Sequence, residues 1–417
     1  MKLKITRAFR GRGLISPWKP LLGFLAITLL TLSPSQGAHA QNWKVAIVLP
    51  ITGPLSPIGE RLKRGYQLAI HEAQEKGREL QIVWIDERLL EDQKSRQIVS
   101  ETLKDPAVLA VLGAYSSHAT FTLAGIAERV PLPLIIPSSM ADRLTRQGYQ
   151  WVFRVCPSNS QYLKEFVTFL TSLFLSPPPS ALIYEDTPWG RELQEKLSGF
   201  LKETGGKGPL LLPYTPGGNH YPEIMESLEK KGPSLVILLS SASDTLTLYR
   251  NIRLRGLPCL VASGGMGLSY PSLMKEAPPP ISGLVFPSPW IPQAPWPEAR
   301  TFTRNYARFH KSLPDYHAAE AYSSLSVLLT ALERGDCLPG TSRCRRKIKR
   351  ILERETFATP LGPVRFTSRE GYTHQNHLAP LIIQIQGRRP VVVYPPRAAT
   401  GKIQLPREQG PSTRHQR

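Results

Sequence analysis

The residues best placed to do chemistry lie at the ends of short apolar runs. Residues 108–112 lead into Gly113-Ala114-Tyr115-Ser116-Ser117-His118, and residues 134–136 lead into Pro137-Ser138-Ser139-Met140. Each turn sets hydroxyls and backbone N–H groups where a helix begins. Such a helix start carries partial positive charge and unsatisfied donors, which suits a carboxylate or another small anionic or polar group. The same serines also work as N-caps, each worth about 1 kcal/mol relative to Ala with no ligand involved. Further along, 181–184 runs into Glu185-Asp186-Thr187-Pro188-Trp189-Gly190, 235–239 into Ser240-Ser241-Ala242-Ser243, and 260–262 into Ser263-Gly264-Gly265-Met266. An aromatic at a loop tip above a polar rim closes many small-ligand clefts. That singles out Trp189, with packing on Pro188 and the following helix as its ordinary alternative.

Catalytic patterns are missing from the sequence. It has no G-x-S-x-G elbow, P-loop or H-E-x-x-H pair. Ser117 beside His118 is adjacency, not a relay, and no orienting acid accompanies it. His374 and His377 fall in a turn-rich stretch between strands and read as solvated rather than as metal ligands. No catalytic residue, metal site or cofactor is therefore expected.

Composition bounds the setting. Lys2, Lys4, Arg7, Arg10, Arg12 and Lys19 form an acid-free basic region, residues 21–32 are apolar, and Ala38-His39-Ala40 ends the stretch with small residues. This reads as a cleaved secretory signal over 1–40, too short in its apolar part for the roughly 20 residues of a spanning helix. No membrane span is expected after cleavage. The whole chain carries a formal charge of +20, and residues 1–40 hold six of its basic groups, which leaves +14. Dispersed basic residues on an exported chain argue for a solvated positive surface, not a nucleic-acid interface. The densest run, Arg343 to Arg350, has Ile348, Ile351 and Leu352 at helical spacing and reads as the wet face of an amphipathic helix. Four cysteines in 417 residues exclude a disulfide-built fold. Cys337 and Cys344 can form a local staple, while Cys156 and Cys259 read as buried free thiols.

The supporting elements follow from periodicity. From Trp43 onward short β-rich runs alternate with longer segments of helical period, such as 58–76 with Leu62, Tyr66, Ala69, Ile70 and Ala73 on one face. Strands apolar on both faces specify parallel sheets covered by helices. The pattern pauses at 152–157 and restarts, which implies two doubly wound α/β lobes joined by a three-segment hinge. The boundaries expected are lobe 1 over 41–155 and 288–357, lobe 2 over 156–287 and 358–396, and a loose basic tail over 397–417. In open parallel sheets the ligand crevice lies beyond the carboxyl ends of the strands, where the serine turns fall.

These residues, in this order, resemble the type I periplasmic solute-binding proteins of the leucine/isoleucine/valine-binding kind. The resemblance rests on Leu49-Pro50-Ile51-Thr52-Gly53-Pro54 with Gly59, Val111-Leu112-Gly113-Ala114-Tyr115-Ser116-Ser117, Ile136-Pro137-Ser138-Ser139, Leu144-Thr145, Phe153-Arg154, Asp186 with Trp189 and Gly190, and Ala321-Tyr322. It implies a periplasmic, monomeric partner of ABC importer membrane subunits that captures a small polar or carboxylate-bearing solute by closing about its crossovers. Ser117, Ser138 and neighbouring backbone would hold a ligand carboxylate, with Trp189 closing from lobe 2. The expected ligand-binding set is Tyr115, Ser116, Ser117, Ser138, Ser139, Met140, Trp189, Ser240 and Gly265. Two departures bear on the ligand. Met140 stands where amino-acid binders of the family place a Thr, and Gly264-Gly265 stands where they carry an acid. A buried ammonium without a carboxylate partner is costly, so the resemblance implies weak binding of ordinary α-amino acids. The alternative on the same fold is an envelope ligand-sensing or protein-interaction module.

Overall fold

Two sheets organise the chain. The computed structural model describes residues 42–217, 221–265, 267–271, 280–337 and 342–406. The expected signal segment 1–40 and residues 407–417 of the expected tail lie outside the described residues. Among the described residues no helix is long and apolar enough to cross a membrane.

The first sheet holds β1 (Asn42–Leu49), β2 (Glu79–Asp86), β3 (Val108–Leu112), β4 (Leu134–Ile136), β5 (Val152–Arg154), β11 (Thr356–Thr359), β12 (Gly362–Arg369) and β13 (Tyr372–Asn376), in the order β11-β12-β13-β5-β4-β3-β1-β2. The second holds β6 (Ser180–Glu185), β7 (Leu210–Tyr214), β8 (Leu235–Leu239), β9 (Leu260–Ser263), β10 (Val285–Ser288), β14 (Leu381–Gln386) and β15 (Arg389–Tyr394), in the order β15-β14-β10-β9-β8-β6-β7. Strands β1 to β5 pair in parallel, as do β6 to β10. Every residue of β3 (VLAVL) and β8 (LVILL) is buried, as a parallel sheet covered on both faces requires.

Around the first sheet lie α1 (Ser56–Glu75), α2 (Gln93–Lys104), α3 (Ser117–Arg129), α8 (Pro297–His310), α9 (Tyr316–Arg334) and α10 (Ser342–Arg354). The second is flanked by α4 (Asn159–Ser172), α5 (Pro188–Glu203), α6 (Tyr221–Lys231) and α7 (Ala242–Leu254). In α1 the buried face includes Leu62, Tyr66, Ala69 and Ala73, a 4-3-4 spacing that turns one stripe to the core. Gly65 lets α1 approach α9, since a Cβ there would sit 2.2 Å from the Ala318 carbonyl oxygen.

The chain passes between the sheets at 155–158, 289–296 and 377–380. The third crossing was expected near 357–360, with 358 onward in lobe 2. Instead β11, β12 and β13 complete the first sheet. The β11–β12 hairpin alternates in burial, and Phe357 and Phe366 point inward, with Phe366 edge-on to Phe153 at 5.3 Å. One apolar face of an antiparallel hairpin needs a core, and the edge of the first sheet supplies it.

Two further expectations are corrected. The tail is not loose from 397: Ala398 is buried, the Thr400 N–H donates to the Val392 carbonyl at 2.8 Å, and Gln384 exchanges hydrogen bonds with the Gln404 backbone at 2.7 and 2.8 Å. The α10 face is wet at Arg343, Arg346 and Arg350, but Arg345 is buried. Its guanidinium donates to the carbonyls of Val108 (3.0 Å), Val130 (3.2 Å), Leu103 (3.2 Å) and Asp105 (2.6 Å). Those carbonyls lie at the margins of α2, β3 and α3, where one buried cation serves as a shared donor. Cys337 and Cys344 are disulfide-bonded, with Cα atoms 5.4 Å apart, and Cys156 and Cys259 are free and buried.

Candidate functional site

The lobe-1 turns are shaped by backbone demands first. Gly113 follows β3 with φ +127°, and a Cβ there would lie 2.1 Å from the Val48 carbonyl oxygen, so only glycine fits. Ser116 then caps α3, its hydroxyl accepting from the Ala119 N–H at 3.3 Å. The N–H groups of Tyr115 and Ser116, expected to meet a ligand, donate to the Glu87 carboxylate at 2.8 and 3.2 Å. Glu87 opens the short turn after β2 and is only 4% exposed. Ser117 and His118 face outward on the first turn of α3.

At the end of β4, Ser138 and Ser139 are buried. The Ser138 hydroxyl donates to the Glu320 carboxylate and lies 3.4 Å from Nδ1 of His317. Glu320 is 1% exposed, and Nδ1 of His317 is 3.6 Å from the same carboxylate oxygen. Both residues come from the first turns of α9, which Asp315 caps by accepting from the Ala318 N–H at 3.0 Å. The Ser139 carbonyl accepts from Cys156 Sγ at 3.3 Å and from Arg154 at 3.4 Å. Arg154 also donates to Gln375 (2.6 Å), Thr145 (2.7 Å) and the Ala141 carbonyl (2.7 Å). That network ties the serine turn to β5 and β13, beside two of the three crossings.

Lobe 2 reaches this cluster through Tyr162 of α4 and through the Ser269–Tyr270 stretch carried beyond β9. The Tyr270 ring stacks on Tyr316 of lobe 1 at 5.6 Å, lies under the Arg61 guanidinium at 4.4 Å, and is 6.2 Å from the His317 ring. Arg61 is held in turn by Asp315 at 2.5 Å. Tyr115 meets His317 edge to face at 5.4 Å. Both lobes thus converge on Glu320.

Burial dominates the electrostatics. It raises the Glu320 carboxyl above its ordinary range, while the contacts with His317 and Ser138 pull downward. It raises the Glu87 carboxyl likewise, against the Tyr115 and Ser116 N–H groups. Tyr115 is pushed up to about 12, first by burial and then by Tyr270, Glu320 and Glu87. Tyr162 is raised well above the usual phenol range by burial and by the Glu320 charge. Among the buried side-chain atoms without a hydrogen-bond partner are Ser139 Oγ, Tyr162 OH, Ser269 Oγ and His317 Nε2. An unpaired buried polar group is costly, so such groups on residues of both lobes suit a site that a polar molecule completes.

The remaining expected residues lie apart from this cluster or have other work. Ser240 is buried, with its hydroxyl 2.7 Å from Thr245 Oγ1. The Gly265 N–H donates to Ser263 Oγ at 3.3 Å. Trp189 is 46% exposed at the start of α5, which Thr187 caps. Met140 packs with Cys156 and Tyr162. Neither His374 nor His377 is solvated as read: His374 is buried, stacked on Phe153 at 4.4 Å and 3.3 Å from Glu353, and His377 contacts Gln161. No group of three metal-ligating side chains occurs among the described residues.

Sequence reading missed Glu87, Tyr162, Ser269, Tyr270, His317 and Glu320. A signal existed for Glu320: it shares the buried stripe of α9 with Tyr316, Ser323 and Val327 and is a lone acid among apolar and small residues. No acid stands at 264–265, and the buried acid beside the serine turn is Glu320 of α9. Elsewhere, a groove of about 600 Å³ between α1, α8 and α9, lined by Glu72, Lys76, Phe302 and Tyr322 among others, shares no residue with the cluster.

Comparison with known proteins places the fold. A family model described as periplasmic binding protein matches residues 42–388. A Leu/Ile/Val-binding protein homolog 7 of Brucella melitensis biotype 1 is 21% identical over 402 residues, covering 92% of this chain and 98% of that protein. Among solved structures, an ABC transporter substrate-binding protein from Desulfitobacterium hafniense in complex with Leu aligns with TM-score 0.64 at 19% identity, over 84% of this chain and 99% of that one. A solute-binding protein of an ABC transporter from Rhodopseudomonas palustris BisB5, in complex with 3,4-dihydroxy benzoic acid, aligns with TM-score 0.65 at 14% identity, over 83% and 93%. At these identities the structures establish a shared fold.

Proposed function

The chain belongs to the periplasmic binding protein family, and on that premise we propose that it is the periplasmic solute-binding component of an ABC importer. It acts as a monomer without catalysis, capturing a small polar solute by closing lobe 2 onto lobe 1 and presenting the closed form to the importer's membrane subunits. Tyr115, Ser138 and Ser139 contribute from lobe 1, with Met140 walling the cleft near the first crossing and Trp189 at the rim of lobe 2.

One observation carries this reading: buried polar atoms without a hydrogen-bond partner come from both lobes, Ser139 Oγ and His317 Nε2 from one and Tyr162 OH and Ser269 Oγ from the other, and His317 and Tyr162 both interact with the buried Glu320 carboxylate. Three chain crossings leave the lobes free to rotate about short connections, the usual architecture of hinge closure.

A thermal-shift screen of the secreted form against small amino acids, amides, amines and carboxylates tests the proposal. A ligand that binds only the folded state stabilises it by mass action, by about 2.7 kcal/mol at one hundred times its Kd. At least one solute is expected to raise the melting temperature in a saturable way. A flat response across the whole library contradicts the reading.

A further inference from the structure

We propose that the solute presents a cationic amine to lobe 1, with the Glu320 carboxylate as its charge partner, and carries no carboxylate at that end. This rests on the solute-binding reading above and names its ligand class.

The argument starts from donor inventory. The unpaired hydroxyls of Ser139, Tyr162 and Ser269 can donate but carry no positive charge, and the donors at the serine turns are the N–H groups of Tyr115 and Ser116 and the hydroxyl of Ser138. These last three already donate to carboxylates of the chain itself, the N–H groups to Glu87 and the Ser138 hydroxyl to Glu320. A ligand carboxylate must displace one of these acids or lie beside it in a buried setting, where like charges repel strongly.

No lysine or arginine contacts Glu87 or Glu320 among the described residues. The two nearby guanidiniums are committed, Arg61 to Asp315 and the Tyr270 ring, Arg154 to Gln375, Thr145 and backbone carbonyls. Among the described residues the partners of Glu320 are a hydroxyl and an imidazole. With Nδ1 of His317 facing the carboxylate, the ring proton belongs on that nitrogen and Nε2 is left as an acceptor. The unpaired hydroxyls of Ser139, Tyr162 and Ser269 can accept as well. An ammonium brings three donors and no acceptor, which matches a site whose charged group is an acid and whose free hydroxyls and imidazole nitrogen can all accept. Tyr115, Tyr270 and Tyr316 add aromatic surface, which attracts cations rather than anions.

Isothermal titration of the secreted protein with sets sharing one skeleton tests the inference: isopentylamine, leucine and 4-methylpentanoate; tyramine, tyrosine and 3-(4-hydroxyphenyl)propanoate; and putrescine as a diamine. At least one amine is expected to bind more tightly than its carboxylate-bearing counterparts. Glu320→Gln, nearly isosteric, should weaken that amine about tenfold or more, the scale of a lost hydrogen bond to a charged group. Tyr162→Phe, which removes one acceptor and leaves the ring, should weaken it by a smaller factor and keeps the test open if Glu320→Gln fails to fold. A carboxylate that binds as well as its amine partner overturns the inference, as does an amine whose affinity neither variant changes. If the thermal-shift library yields only neutral ligands, the amine class fails while the solute-binding reading stands. A library with no ligand at all removes both.

Discussion

Replacing Tyr270 by Ala should open the molecule. This side chain sits on the stretch after β9, in lobe 2, yet its ring stacks on Tyr316 of lobe 1 at 5.6 Å and 22° between planes, beneath the Arg61 guanidinium at 4.4 Å. An aromatic pair of this kind is worth about 0.5–1.5 kcal/mol beyond its area, and a partly exposed cation–π contact about 0.5–1 kcal/mol. Losing both removes about 1–2.5 kcal/mol from the lobe contact, a roughly 5- to 70-fold shift toward the open form. Each lobe keeps its own core, because Tyr270 is half-buried and belongs to neither sheet. Small-angle scattering of the ligand-free Tyr270→Ala protein should therefore give a larger radius of gyration than the parent, with an unchanged circular dichroism spectrum. Tyr270→Phe keeps the stack and loses only the 3.4 Å hydroxyl contact with Tyr316, so its scattering should match the parent. Identical curves for the parent and the Ala variant would refute the latch and the magnitude assigned to it.

Other expectations follow from the same geometry. Arg345→Ala should lower stability by about 3–5 kcal/mol in urea unfolding, because four carbonyls lose one charged donor at once; the exposed neighbour Arg346→Ala should stay within about 0.5 kcal/mol. Gly113→Ala should cost about 2 kcal/mol or more, from positive φ and the 2.1 Å approach to Val48. For the paired variant Glu87→Gln with Glu320→Gln the signal is pH dependence. Both carboxyls are raised by burial above the ordinary 4.5, so the folded state holds these protons more tightly than the unfolded one. Their contribution is present in full below about pH 4.5 and is lost as pH rises through the folded values. Parent stability measured against the paired variant should fall over that window, and a flat difference would contradict it. Trp189→Ala should leave the melting temperature within about 1 °C, given an exposed ring, while weakening whichever solute the screen identifies.

What the sequence revealed divides along physical lines. Parallel strands such as VLAVL and LVILL announce themselves because both faces are buried, and the helices between them by a single apolar stripe. The serine turns were visible because strand ends in such sheets are where ligands bind. Glu320 was not, because α9 is buried on nearly every side and its acid sits about 180 residues from the hydroxyl it meets. Arg345 was hidden inside a run of basic residues whose other members face water; only the fold shows which one turns inward. The third crossing was misplaced because β11 and β12 alternate like any half-buried hairpin, and alternation does not say which sheet edge will cover it. Glu87 follows an exposed-looking Asp86 in a polar turn and gave no sign that it would occupy the N–H groups at the start of α3.

The most direct measurement is a co-crystal structure of the protein with the solute that stabilises it most. Density for that solute is expected between the lobes, within hydrogen-bond reach of Glu320 and Ser139 from lobe 1 and of Tyr162 or Ser269 from lobe 2. Density instead in the outer groove between α1, α8 and α9, with the cluster around Glu320 unchanged, would contradict that placement.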